Sequence, residues 1–169
     1  MRSLRIPVSA ALIVVALVLQ VAVFPHVAWE GIVPNFCLLI VVAAALVRGP
    51  AFAATLGFFA GLMLDLAPPA DHVAGRWALA LVVVGFVAGL MRQDTRMPAT
   101  TVVATVAAAS FVGTSVYALS GLVLGDAVGS MGEVLRVILV ALLWDVLLTP
   151  LVLPGVMRLL TRLEPASAR

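Results

Sequence analysis

The sequence predicts an all-α fold, a polytopic membrane helical bundle of about six transmembrane helices with both termini in the cytoplasm. Three observations lead there. The chain is 64% hydrophobic and 11% charged over 169 residues, whereas a soluble domain is roughly a quarter charged and just under half apolar. A soluble chain of this length buries only about 70% of its unfolded surface. The apolar excess, with a mean hydropathy of +1.23, therefore calls for lipid as solvent. The apolar runs are also continuous rather than alternating, which favours helices over a closed barrel, the only other way to satisfy every backbone amide in hydrocarbon. Finally, the arginines lie mostly to one side of the runs.

A crossing helix needs roughly 20 apolar residues, with about 17 to 25 workable. The first span is expected over 6–24, a run without charge. Arg2 and Arg5 precede it as they would precede a signal peptide, but it exceeds the about 7 to 15 residues of a signal core, so a retained helix is expected. The second apolar run, Phe36 to Val47, follows Pro34-Asn35 and is short for a crossing unless the residues before the proline are included, so the span is expected over 33–47. The third, 51–66, stops at Pro68-Pro69, and the fourth is expected over 77–91. The fifth, 101–124, lies within an uncharged stretch, and the sixth, 134–153, is interrupted by Asp145 and Pro150. Because Arg48-Gly49-Pro50 is a tight turn, the second and third runs could instead form a re-entrant pair. Six such spans leave only short loops, so residues 1–169 read as one integral membrane domain.

With the first residue inside, Arg2, Arg5, Arg48, Arg92, Arg96, Arg158, Arg162 and Arg169 face the cytoplasm, and only Arg76 and Arg136 lie outside. The positive-inside rule selects this orientation. It also accounts for the pI near 9.5 without nucleic acid as a partner; membrane lipid is the surrounding partner instead. Cys37 is the sole cysteine and has no internal partner for a disulfide.

The residues that could carry chemistry are few. Gly57 and Gly61, Gly85 and Gly89, and Gly121 and Gly125 each make a GxxxG pair. This spacing lets helix backbones approach closely, either within the bundle or against a partner. Asp65 closes the third span near an interface. Asp145 lies deep in the sixth, where an ionised aspartate costs about 3 kcal/mol on insertion scales. It must face the interior and find a partner, in a structural or a functional role. Arg136, nine residues earlier and roughly 13 Å along the axis, is not an easy one. Pro150 frees the carbonyl of Val146, which shapes the bundle or opens a cavity.

No motif for catalysis, phosphate binding or metal ligation is present. His26 and His72 fall in separate external loops, and Ser110, Ser115 and Ser120 have no histidine in any span to activate them. No enzyme activity, cofactor or metal is expected. Arg92, Asp94 and Arg96 only approximate the charged cluster of a lipid-linked transferase, and a topology signal is the simpler reading.

A longer string has more specificity than any of these pieces. Pro34-Asn35-Phe-Cys-Leu-Leu, Arg48-Gly49-Pro50, Gly57-Phe-Phe-Ala-Gly61-Leu-Met-Leu-Asp65-Leu-Ala-Pro-Pro and Gly75-Arg76-Trp77-Ala-Leu with Gly85-Phe-Val-Ala-Gly89 resemble the MreD family of rod shape-determining membrane proteins. The likeness is best over 34–92, and the sixth span, with Asp145 and Pro150, is also similar. Asn35 departs from the pattern, since the family usually has aspartate after the proline. A role needing negative charge there does not carry over, but a helix N-cap role does, because asparagine caps as well as aspartate.

The resemblance implies a non-catalytic scaffold subunit of the cell-elongation complex. It would act on cell shape and lateral peptidoglycan synthesis through an MreC-like bitopic protein, RodA with its transpeptidase partner, and in many lineages the actin-like MreB filament. It also implies a fold like the substrate-binding subunits of energy-coupling-factor transporters. The alternative function, suggested by the chain size, the six spans and Asp145, is a small-molecule-binding subunit of a vitamin-type transporter. Asn35, Gly57, Gly61, Asp65, Arg76, Gly85, Gly89, Asp145 and Pro150 are the candidate structural or partner-contact residues.

Overall fold

A computed structural model describes residues 5–68, 73–93, 97–126 and 129–163. Arg2, Pro69, His72, Asp94, Arg96 and Arg169, each read above for topology or chemistry, lie outside the described residues, as does Asp71. The described chain is helical, and its one extended pairing is an isolated bridge between Trp29 and Ile32.

Six α-helices follow in order: α1 (Arg5–Val18), α2 (Phe36–Arg48), α3 (Pro50–Leu66), α4 (Arg76–Leu90), α5 (Ala99–Val123) and α6 (Met131–Arg162). α1 continues through a π turn, Leu19–Val23, and a 3-10 turn, Phe24–Val27. Three stretches are long and apolar enough to cross a membrane: Ile6–Val27, Ala99–Val123 and Met131–Arg162. The other three helices have 13, 17 and 15 residues, or roughly 20 to 25 Å against a hydrocarbon core of about 30 Å.

Two expected boundaries differ for clear physical reasons. The second span does not begin at residue 33. Residues Ile32 to Asn35 are not helical, because Pro34 removes a backbone donor and disfavours helix in the residue before it. The sixth does not end at 153. α6 is 32 residues long with Pro150 and Pro154 inside it, so the prolines shape the helix without ending it. Its start is fixed by a capping box, in which the Ser130 side chain takes the Glu133 N–H and the Glu133 carboxylate takes the Ser130 N–H.

α2 is the axis of the molecule. Every residue from Phe36 to Val47 is buried, and the helix touches all five others. Its sequence, FCLLIVVAAALVR, is apolar on every side, the pattern of a helix that lacks a solvent or lipid face. The Ala43-Ala44-Ala45 run lets neighbours approach closely, which matters because helices in lipid gain from packing rather than from hydrophobic burial. The outer helices reverse the pattern: Val14, Phe59, Phe86, Leu119 and Leu147 all face outward.

The path into α2 is unusual. After α1 the chain makes a two-residue turn through Glu30 (φ 54°) and Gly31 (φ 80°), the positive-φ pair of a tight hairpin. It then runs extended back into the bundle. Glu30 forms an ion pair with Arg136, near the start of α6. Five residues later, Asn35 reaches Asp145, nine residues further along α6. Irregular backbone at such depth is tolerated only when protein surrounds it, and here Pro34 and Asn35 are buried.

Candidate functional site

The polar groups of the interior converge where α2 begins. Asp145 is 1% exposed and lies on the inner face of α6, roughly 21 Å from its start. Its Oδ1 accepts the backbone N–H of Asn35 at 2.8 Å, and its Oδ2 accepts the Ser110 hydroxyl of α5 at 2.7 Å. The Asn35 side chain in turn accepts the Leu38 N–H at 2.9 Å, capping α2. The Gln20 side chain, from the π turn after α1, lies 3.5 Å from the Cys37 N–H. Four segments distant in sequence therefore meet at one helix N-terminus. The first N–H groups of a helix have no partner within it, and the helix dipole makes that end positive. A carboxylate is the natural counterpart.

Pro150 lies outside this cluster, on the exposed side of α6. One turn of helix joins the two, where the Thr149 hydroxyl donates to the Asp145 carbonyl at 2.7 Å. Such back-bonding often bends a helix, as does the proline beside it. Asn35 Nδ2 and Trp144 Nε1 are buried with no hydrogen-bond partner among the described residues.

Asp65 repeats the device on the neighbouring pair. From the last turn of α3 its carboxylate accepts the N–H groups of Gly75, Trp77 and Ala78 at 2.8, 3.0 and 3.1 Å. It thereby caps α4, whose own N-cap, Gly75, has no side chain to do so. Burial is as deep as at Asp145, 2% exposed. Arg76 starts α4 and is held by α5. It makes an ion pair with Asp126, donates to the Tyr117 carbonyl at 3.0 Å and to Ser120 Oγ at 3.3 Å, and lies 4.1 Å from the centre of the Tyr117 ring. A cation at the start of a helix opposes its dipole. Here the guanidinium also faces the C-terminal end of α5, which favours it.

The glycines of α3 and α4 pack against each other's backbones. A Cβ on Gly57 would overlap the Leu81 carbonyl, and one on Gly61 would overlap Trp77 and Ala78. From the other side, Gly85 meets Ala53 and Gly89 meets Pro50. The facing residue numbers sum to about the same value along the pair, as an antiparallel hairpin requires. Both GxxxG motifs are spent inside the molecule, which leaves neither for a partner. The third pair does something else: Gly121 makes room for the Arg76 guanidinium, and Gly125 ends α5 at a φ of 83°.

The family model of the rod shape-determining protein MreD matches residues 1–163 of the chain. The chain belongs to the MreD family. No curated protein and no solved structure matches it. Membership of the MreD family places it in rod shape determination, as a membrane protein.

Within this MreD-family bundle, Asn35 and Asp145 come together, and so do Asp65, Arg76 and the four glycines of the α3–α4 hairpin. Pro150 touches neither group. Ser110, Gln20, Tyr117, Ser120 and Asp126 complete the two polar clusters. The available signal for Gln20 was a lone amide in a wholly apolar run. Ser110 was visible only as a hydroxyl without a base, the wrong criterion for a residue that donates to a carboxylate. Chemically, both clusters are hydrogen-bond latches, in which donors from other segments occupy each carboxylate.

Proposed function

We propose that the chain is a non-catalytic membrane scaffold of the bacterial cell-elongation complex. In this reading it crosses the bilayer six times, with both termini in the cytoplasm, and organises lateral peptidoglycan synthesis through contacts with other membrane proteins. The partners are an MreC-like bitopic protein, RodA with its transpeptidase, and, where a filament is present, MreB. The observation behind this reading is the family match over 1–163, joined to interior carboxylates whose described partners are helix N-termini and a hydroxyl.

The orientation has support from charge. Arg48, Arg158 and Arg162 lie at the end of the bundle where α2 and α6 finish, and Arg92 follows α4 at the same end. At the other end, Arg76 and Arg136 are each ion-paired with an acid, so their topological weight is reduced. Positive charge left uncompensated marks the cytoplasmic side.

The test is to tag the protein in its own host, extract it gently and identify what co-purifies by mass spectrometry. An MreC-like protein together with RodA or its transpeptidase is the expected result. Recovery of transport ATPases instead would replace this reading with the vitamin-carrier one. That alternative needs a cavity with converging polar groups; two grooves between the described helices are lined almost wholly by apolar side chains, and a third brings only Arg76 and Ser120 among apolar neighbours.

A further inference from the structure

The seam between α4 and α5 opens into an apolar groove of about 400 Å³. Val84, Val87 and Met91 form one wall, and Thr101, Ala104 and Ala108 the other. Small side chains on α5 keep the groove open, and it follows that helix from Thr101 as far as Val112. Eleven residues of helix span roughly 16 Å, close to the depth of one leaflet in a core of about 30 Å. Its mouth lies at Met91, and the next residue is Arg92.

Arg92 is exposed and makes no ion pair among the described residues. Its side chain lies against the α2–α3 turn, where a Cβ on Gly49 would meet Nη1 at 3.5 Å and Cδ at 3.7 Å. On the other side of that turn, Arg48 stacks 4.7 Å from the centre of the Phe52 ring and donates to the Leu160 carbonyl at 3.5 Å. Both arginines thus lie beside the α2–α3 turn, at the end of the bundle where Met91 lines the groove. The described acids, Glu30, Asp65, Asp126, Glu133 and Asp145, belong to the opposite end or to the middle of the bundle.

We propose that the α4–α5 groove and Arg92 form one binding site for an anionic glycerophospholipid, with an acyl chain in the groove and the phosphate on the Arg92 guanidinium. The two halves of the site match the two halves of such a molecule. Basic residues beside helices at the membrane interface attract anionic head groups, and guanidinium meets phosphate in a paired geometry. A partner's transmembrane helix fits less well, because it would continue through both leaflets and has no use for the cation. A free phosphate has no use for the groove. The site does not depend on the wall-synthesis reading and stands or falls separately from it.

The experiment uses the full chain, purified in mild detergent and mixed with micelles containing phosphatidylglycerol or phosphatidylcholine, with retained lipid counted by native mass spectrometry. Soluble glycerol phosphate serves as the free head-group probe. Phosphatidylglycerol should be retained at least fivefold over phosphatidylcholine, and glycerol phosphate should not be retained. Arg92→Gln and Ala104→Phe should each lower phosphatidylglycerol retention at least fivefold with an unchanged melting temperature. If Ala104→Phe fails to fold, Thr101→Phe at the groove mouth replaces it. Equal retention of the two lipids would overturn the proposal, as would retention that responds to Arg92→Gln but not to filling the groove. Tight binding of glycerol phosphate alone would reassign the cation to soluble phosphates.

Discussion

Asp145 has no cationic partner among the described residues; a backbone N–H and a hydroxyl hold it instead. Removing it leaves both donors buried and unpaired, at about 1–3 kcal/mol each in a water-referenced account. Membrane hydrogen bonds average nearer 0.6 kcal/mol, because the unfolded chain in lipid also finds partners. Asp145→Ala is therefore expected to cost about 1–3 kcal/mol in all, read as a lower melting temperature in detergent. Asp145→Asn keeps a carbonyl for the Asn35 N–H and should cost less than half as much. In complementation, Asp145→Ala should impair function more than Asp71→Ala, and equal effects would remove the special standing of Asp145. At Arg76 the guanidinium meets Asp126, Tyr117 and Ser120 in different directions. Arg76→Lys retains the charge but not the fork, so it should behave nearly as badly as Arg76→Ala. Sequence alone singled out Asp145 and Asp65 because a carboxylate is expensive in or beside an apolar run, and Asn35 and Arg76 through the MreD-like string. It could not pair them, since the partners lie 110 residues apart for Asn35 and Asp145 and 50 for Arg76 and Asp126.

At the scale of elements, α3 and α4 act as one unit joined by a glycine seam and by Asp65. Even a methyl group at Gly57 or Gly85 would collide with backbone rather than with a flexible side chain. Overpacking usually costs about 1–3 kcal/mol, and rigid neighbours put Gly57→Ala and Gly85→Ala at the upper end. Gly155 provides the contrast. It lies within α6 with nothing within 4 Å of an added Cβ, so Gly155→Ala should be neutral or stabilise by up to about 1 kcal/mol. Thermal melting of the three variants checks the ordering. The GxxxG spacing showed that something packs closely there, but not which helix does. Spacing specifies a face, and only the antiparallel hairpin specifies its partner. The bounds of α2 and α6 differ from expectation for opposite reasons: Pro34, counted within the second span, keeps the chain before α2 out of helix, whereas α6 runs on through Pro150 and Pro154.

For the whole molecule, the six helical runs and the shortness of the second were legible from continuous apolarity, while the complete enclosure of that second run was not. α2 is shorter than a crossing and wholly enclosed, a fact that depends on five neighbours and leaves little mark on its own residues beyond the absence of a polar face. The same enclosure makes topology easy to measure. Cys37 is fully buried, so the natural chain should not react with membrane-impermeant maleimides. A cysteine at Arg162 should label only from the cytoplasmic side, and one at Glu133 only from outside. Labelling of both from one side would refute the six-span arrangement.

The half-depth start of α2 bears on biogenesis. A segment of 13 residues, entered by extended chain, has little to stabilise it as an independent crossing when it first emerges from the ribosome. The carboxylate that receives its N-terminus is made 110 residues later. Integration of this helix is therefore completed only when α6 arrives. Chains truncated before Asp145 should turn over rapidly in the cell, and those ending after Leu163 should persist. Pulse-chase of the two truncations would show whether assembly waits for the last helix.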